Sequence, residues 1–257
     1  VRVVAPDDRA EGGHDRVPSS SGTPDPGEAP ETEWWRDPRL PWTGRPSRSD
    51  VLCWAGISAS GLVSLALLPL RPLLLATNPL ALAALTGSRT AVVALGALAA
   101  VGRTDWWWVG LVLATISVVK FDPLVWWAGR LWGRGVLDLV AGRSPRAARN
   151  VDRAERLALR WRAPAIALTY VVPVLPTGVV YATAGASGMT LRAFLAVDVA
   201  AAFATRCLYL YLGYRIGQPA VDVLDAIADW SLWLSLALLA VVLVGSVRAA
   251  RAATQDP

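Results

Sequence analysis

Residues 51–70, VLCWAGISASGLVSLALLPL, carry no charged side chain. About 20 apolar residues at ~1.5 Å each match a hydrocarbon core of about 30 Å. This run commits the chain to a bilayer, and the composition agrees. Apolar residues make up 54% and charged residues 18%, against about 25% charged in an ordinary soluble domain. Mean hydropathy is +0.41.

The polar residues are unevenly spread. Residues 1–50 hold 10 of the 20 acids and 8 of the 18 prolines. A segment as rich in Pro, Gly, Ser and acids as 1–49 cannot bury enough apolar surface to offset its ordering entropy, and is expected to be a disordered tail. It has no signal-peptide h-region. Trp34, Trp35 and Trp42, with Arg36, Arg39, Arg45 and Arg48, are placed to rest on the membrane surface. That the chain begins at Val1 is compatible with a non-Met start or a fragment.

The remainder reads as a polytopic membrane domain over 50–248, with a short tail at 249–257. Residues 71–102 are apolar but interrupted by Pro72, Asn78, Pro79, Thr86, Gly87, Ser88 and Arg89. Two half-helices around a polar turn fit better than one continuous helix, with Asn78 and Pro79 as the break; an ordinary span plus an interfacial helix is the alternative. Residues 105–128 read as a second full span between tryptophan belts, Trp106–Trp108 and Trp126–Trp127. Its lower end carries Lys120 and Asp122. Residues 164–189 lack charge yet contain Pro173, Pro176, Gly178, Gly185 and Gly188, a second hairpin broken around Tyr170, Pro173, Pro176 and Thr177. Residues 190–214 form a span with Asp198 and Arg206 embedded, 216–228 a short polar-faced connection, and 229–247 the last span.

Nine arginines lie between 129 and 162, opposed by Asp138, Asp152 and Glu155. By the positive-inside rule this loop is cytoplasmic, and so are both termini. Arg149, Arg153, Arg156 and Arg160 share one broad helical face over 146–162, a surface helix against anionic headgroups.

The counts also exclude chemistry. The single histidine, His14, lies in the tail, which removes His-based triads, His-ligated zinc and a haem His ligand from the membrane body. Cys53 and Cys207 are isolated and read as small buried hydrophobes. No nucleotide-binding glycine motif opens a helix. No cofactor or metal is implied. No nucleophile–base pair is visible, so an enzyme acting on lipid ranks behind transport. No aromatic-basic module suggests nucleic acid.

The halves 71–133 and 163–217 share an order: broken hairpin, Gly-x-Thr, span, glycine-framed basic motif. The first has Gly102-Arg103-Thr104 and Gly129-Arg130-Leu131-Trp132-Gly133. The second has Gly188-Met189-Thr190 and Gly213-Tyr214-Arg215-Ile216-Gly217. Inverted repeats with broken helices are the physical signature of a secondary transporter. An ionisable group in the bilayer centre is a functional candidate by default. That set is Arg89, Lys120 (the only lysine), Asp122, Asp198 and Arg206. Positions 120 and 122 lie about 200° apart on a helix, so each is expected to find a partner elsewhere: Lys120 with Asp198, or Asp122 with Arg206. Two buried ion pairs locking the halves are the structural alternative to a transport role. Snorkelling of Lys120 and Asp122 toward the cytoplasmic end is a further one.

Residues 117–133 and 184–217 resemble the DedA family, also called the SNARE-associated or VTT-domain family. Asp122 followed by Gly129-Arg130-x-x-Gly133 is similar to its G-D…G-R-x-x-G. Ala184-Gly185-x-x-x-Met189, Phe194, Asp198 and Gly213-Tyr214-x-x-Gly217 are similar to its A-G-x-x-x-M…F…N…G-Y-x-x-G. The likeness extends over about 72–217. It implies an all-α protein of the bacterial inner membrane with two opposed re-entrant hairpins, moving undecaprenyl phosphate or another phospholipid with an ion gradient. Arg89, Lys120 and Arg206 would then hold the phosphate. The chain departs from the family's second-hairpin R-F-x-P-x-x-R: Tyr170 to Pro176 keeps the first proline and neither arginine. The first hairpin has no acid. A scaffold that has lost the charged hairpin residues is therefore the alternative. The partners implied are the bilayer, anionic headgroups at 130–162 and a lipid-phosphate substrate, with a homo-oligomer left open.

Overall fold

A capping box starts the first helix. Ser47 Oγ accepts from Asp50 N–H at 3.3 Å, and Asp50 Oδ2 accepts from Ser47 N–H at 2.8 Å, satisfying two donors that a helix start leaves open. The computed structural model that carries these contacts describes residues 40, 42, 44–133, 135–136, 145–172 and 175–255. The expected tail before residue 40, with Trp34, Trp35, Arg36 and Arg39, lies outside the described residues, as do Arg134, Asp138, Arg143 and Pro173.

The described residues are helical, with no strand among them: α1 (Arg48–Leu67), α2 (Arg71–Thr77), α3 (Pro79–Thr86), α4 (Arg89–Ala100), α5 (Trp107–Val119), α6 (Asp122–Trp132), α7 (Pro145–Arg160), α8 (Arg162–Val171), α9 (Thr177–Ala186), α10 (Leu191–Ile216) and α11 (Gln218–Gln255). Four stretches are long and apolar enough to cross a membrane: Arg48–Leu67, Trp107–Trp132, Leu191–Ile216 and Gln218–Arg248. The protein is a multi-pass, all-α membrane protein.

Three boundaries differ from the sequence reading. The 71–102 segment is broken twice. Asn78 caps α3 by accepting from Ala81 N–H at 2.9 Å, and Pro79 opens that helix. The second break follows, where Gly87 takes φ 62° and Ser88 starts α4. The Trp107–Trp132 stretch is interrupted at Lys120–Phe121, because Pro123 has no N–H to continue the ladder. Lys120 and Asp122 thus sit at the middle of this 26-residue stretch rather than at its lower end. The expected connection at 216–228 is instead the beginning of the continuous 38-residue α11.

The described end of the expected tail is held. The Trp42 ring lies 6.2 Å from Trp54 and 6.1 Å from Trp132, and Trp132 Nε1–H donates to Asp50 Oδ1 at 2.7 Å. In the Arg-rich region, α7 exposes Arg149, Arg153, Arg156 and Arg160 and buries Ala158, as its amphipathic spacing requires.

Two larger apolar cores and a smaller cluster of Val119, Tyr170 and Ala202 hold the described residues together. One gathers Cys53, Trp126, Ile166, Val179, Val180 and Phe194 from α1, α6, α8, α9 and α10. The other gathers Leu82, Val92, Leu95 and Ala114 from α3, α4 and α5. The closest helix contacts are glycine crossings, and they come in two matched pairs. A methyl on Gly96 of α4 would strike the Leu210 carbonyl of α10, and one on Gly213 of α10 would strike the Val93 carbonyl of α4. Likewise Gly129 of α6 faces the Ala182 carbonyl of α9, and Gly185 of α9 faces the Trp126 carbonyl of α6. In each case the struck residue lies three positions before the partner's glycine. The Gly-x-Thr motifs match as well. Gly102 (φ 71°) and Gly188 (φ 78°) each sit in a turn closed by the next residue's N–H, Arg103 to Leu98 O at 2.8 Å and Met189 to Ala184 O at 3.2 Å. Gly133 and Gly217 end α6 and α10 at φ 52°, ψ −122° and φ 62°, ψ −128°.

Candidate functional site

A buried polar layer adjoins the smaller cluster at Tyr170. Its centre is Asp198, fully buried in α10. Asp198 Oδ1 accepts from Tyr170 Oη–H at 2.9 Å and from Tyr181 Oη–H at 2.8 Å. Tyr170 comes from the last turn of α8 and Tyr181 from the middle of α9, so one carboxylate ties both arms of the second broken segment to a membrane-crossing helix. Tyr170 Oη also lies 3.5 Å from Asp122 Oδ2, and Tyr181 Oη lies 3.5 Å from Thr169 Oγ1. Asp198 Oδ2 has no hydrogen-bond partner.

A cavity of about 620 Å³ opens beside this layer. Its acidic wall is Asp122. Its basic wall is Arg206, Arg89 and Arg71, with Thr177, Tyr170 and Tyr181 between. Arg206 is 3% exposed, and its Nε and Nη1 have no hydrogen-bond partner. An unsatisfied buried guanidinium is costly, and here it lines a space with room for an anion. Two helix starts border the same space: Ser88, Arg89 and Thr90 at α4 and Thr177 at α9. Their positive dipole ends add to the attraction for negative charge.

The ionisable set named from the sequence is divided by the structure. Arg89, Asp122 and Arg206 meet in the cavity, and Asp198 is linked to Asp122 through Tyr170. Lys120 stands apart. Its Nζ donates to the Leu85 carbonyl at 2.6 Å and to Ser117 Oγ at 3.0 Å, in a separate space of about 250 Å³. Lys120 therefore answers the carbonyl end of α3, where a cation is favoured. Neither expected ion pair forms. Lys120 does not meet Asp198, because its amine is taken by the Leu85 carbonyl and Ser117, and Asp122 does not bond Arg206. The third cation beside Arg89 and Arg206 is Arg71 instead of Lys120.

The remaining named residues have other places. Asn78 and Pro79 start α3 and do not line the cavity, whereas Thr177 does. Pro176 is the residue before α9. Gly129, Gly185 and Gly213 make the helix crossings, and Gly133 and Gly217 end helices. Arg130 lies 5.7 Å over the Trp126 ring, and Tyr214 is 56% exposed.

Sequence reasoning missed Tyr181, Thr169 and Arg71. Tyr181 had a signal: a tyrosine inside a charge-free run must find a partner for its hydroxyl. Arg71 directly before Pro72 was a second signal, a cation at the start of a helix too short to cross the membrane.

A family model described as the VTT domain matches residues 86–215, about half of the chain. That stretch runs from the end of α3 to the last turn of α10 and takes in Arg89, Asp122, Tyr170, Tyr181, Asp198 and Arg206. No curated protein and no solved structure matches the chain.

Proposed function

The chain belongs to the VTT-domain, or DedA, family, and on that premise we propose that it moves a lipid phosphate, such as a polyprenyl phosphate or another phospholipid, between the leaflets of a bacterial inner membrane. The observation that carries this reading is Arg206: a guanidinium 3% exposed, two of its nitrogens without partners, lining a cavity shared with Arg89 and Arg71. A phosphate supplies the missing acceptors, and charge-assisted bonds are the strong ones.

The transport geometry is an inverted repeat of two re-entrant hairpins. In its favour, α3 with 8 residues and α4 with 12, like α8 and α9 with 10 each, are too short to cross about 30 Å. The matched glycine crossings and matched turn conformations support the repeat itself. Each hairpin's second arm, α4 or α9, packs on the other half's long helix, so one half can rock against the other about a central site. Asp122 gives the cavity an acidic wall where a coupling cation is met. The arginines exposed on α7 favour a cytoplasmic, anionic leaflet at that end, with both termini on the same side.

The test is reconstitution into liposomes with a lipid phosphate whose leaflet is read by an impermeant quencher. Arg206→Gln loses one charge-assisted partner and should lower transport about 10- to 100-fold, while Arg248→Gln, exposed and outside the cavity, leaves it unchanged. Wild-type protein that binds the lipid but never moves it would favour the scaffold reading.

A further inference from the structure

We propose that the apolar cleft beside the cavity holds the hydrocarbon chain of the same amphiphile whose anionic head meets Arg206, so that head and chain are bound together by protein. This rests on the transport reading and specifies its substrate: a compact anionic head on a chain that leaves the bilayer with it.

The cleft has a volume of about 570 Å³, inside the range of roughly 300–1,000 Å³ that encloses a small organic ligand. Its walls are Val93 and Ala94 of α4, Tyr209 and Ile216 of α10, and Val223 and Leu224 of α11. Among the described residues that line it, the one charged side chain is Arg89. Leu75, Arg89, Thr90 and Ile227 line both the cleft and the polar cavity, so the two spaces meet along one seam. Arg89 stands at that seam with its guanidinium 5.7 Å over the Tyr209 ring. A free inorganic anion has no use for the apolar side, and a neutral lipid has none for the arginine side. An amphiphile matches both.

The outer wall is built for this. Pro219, Ala220, Val223, Leu224 and Ile227 recur at helical spacing along one face of α11 and line the cleft. The polar residues of the same stretch point elsewhere: Asp222 accepts from Gln218 at 2.7 Å, and Asp225 pairs with Arg103 at 3.2 Å. The second of these joins the start of α11 to the turn that follows α4.

The experiment uses the full chain in phospholipid nanodiscs and a dodecyl phosphate bearing a diazirine at its chain end. After irradiation, adducts are mapped by peptide mass spectrometry. The expected result is labelling concentrated on Val93, Tyr209, Val223 and Ile227, displaced by inorganic phosphate and untouched by dodecanol. Val223→Trp should lower cleft labelling about fivefold or more by overpacking the slot; the position is 58% exposed, so the fold tolerates it. Arg206→Gln should lower the same labelling through the head. Phosphate-displaced adducts spread over the outer faces of α1 and α11 would overturn the cleft while leaving the transport reading intact. Labelling that neither phosphate nor Arg206→Gln affects would overturn both.

Discussion

A methyl group added at Gly96 should unsettle the protein more than almost any other single carbon. In an ordinary helix interior, glycine to alanine gains about 0.8–1.0 kcal/mol of helix propensity. At Gly96 the new Cβ would strike the Leu210 carbonyl oxygen and lie 2.9 Å from Tyr214 N. Both neighbours are backbone, so no rotamer change relieves the contact, and α4 and α10 must part. Overpacking of this kind costs about 1–3 kcal/mol, which leaves a net loss of up to about 2 kcal/mol for Gly96→Ala. Gly213→Ala should lose a similar amount against the Val93 carbonyl. The double variant should lose less than the sum, because helices already parted for one methyl have room for the second. Gly129→Ala and Gly185→Ala should repeat the pattern at the α6–α9 crossing. Gly61→Ala is the control: nothing lies within 4 Å of its added Cβ, so it should hold or gain stability. The assay is unfolding of the purified protein in mixed micelles, titrated with SDS and followed by tryptophan fluorescence. If Gly96→Ala and Gly61→Ala shift the midpoint in the same direction, the crossings are not tight and the reasoning fails.

Tyr181→Phe removes one of the two donors to Asp198 Oδ1, at 2.8 Å, and should cost about 1–3 kcal/mol in the same titration; a second substitution, Asp198→Asn, made on that background should then cost less than it does alone, and equal costs would show that the bond contributes nothing. Trp42→Ala removes two aromatic contacts worth about 0.5–1.5 kcal/mol each, so a chain starting at Ser47 should melt earlier than one starting at Leu40, whereas equal melting would show that the tryptophan cluster adds nothing.

What the sequence revealed and what it concealed follow from the range of the signals. Residues 51–70 read as a crossing helix because charge-free length is a local property, and α1 covers most of that run. The turns at Gly102, Gly188, Gly133 and Gly217 were legible, since a backbone with positive φ demands glycine wherever it occurs. The partners of Asp198 were not legible. Tyr170 and Tyr181 lie 28 and 17 positions away, and no periodicity links a hydroxyl on one broken arm to a carboxylate on another helix. Coulombic reasoning favoured opposite charges for Asp198 and Asp122, yet the partners of Asp198 Oδ1 are two neutral tyrosine hydroxyls. Pro123 was on view, but its effect on the Trp107–Trp132 stretch was hidden by the apolar residues on both sides.

Lys120 has a further consequence for how this molecule can be watched at work. It is the only lysine in the sequence, it is exposed, and its cavity shares Arg71, Thr86, Val118 and Asp122 with the larger one. An amine-selective reagent therefore finds one side-chain target, at the middle of a broken membrane helix and beside the acidic wall. The unmodified protein carries its own reporter there. Its reaction rate with impermeant reagents, applied to one face of a sealed vesicle and then to the other, would register which side of the membrane the Asp122 region faces from moment to moment. No cysteine need be introduced and none removed.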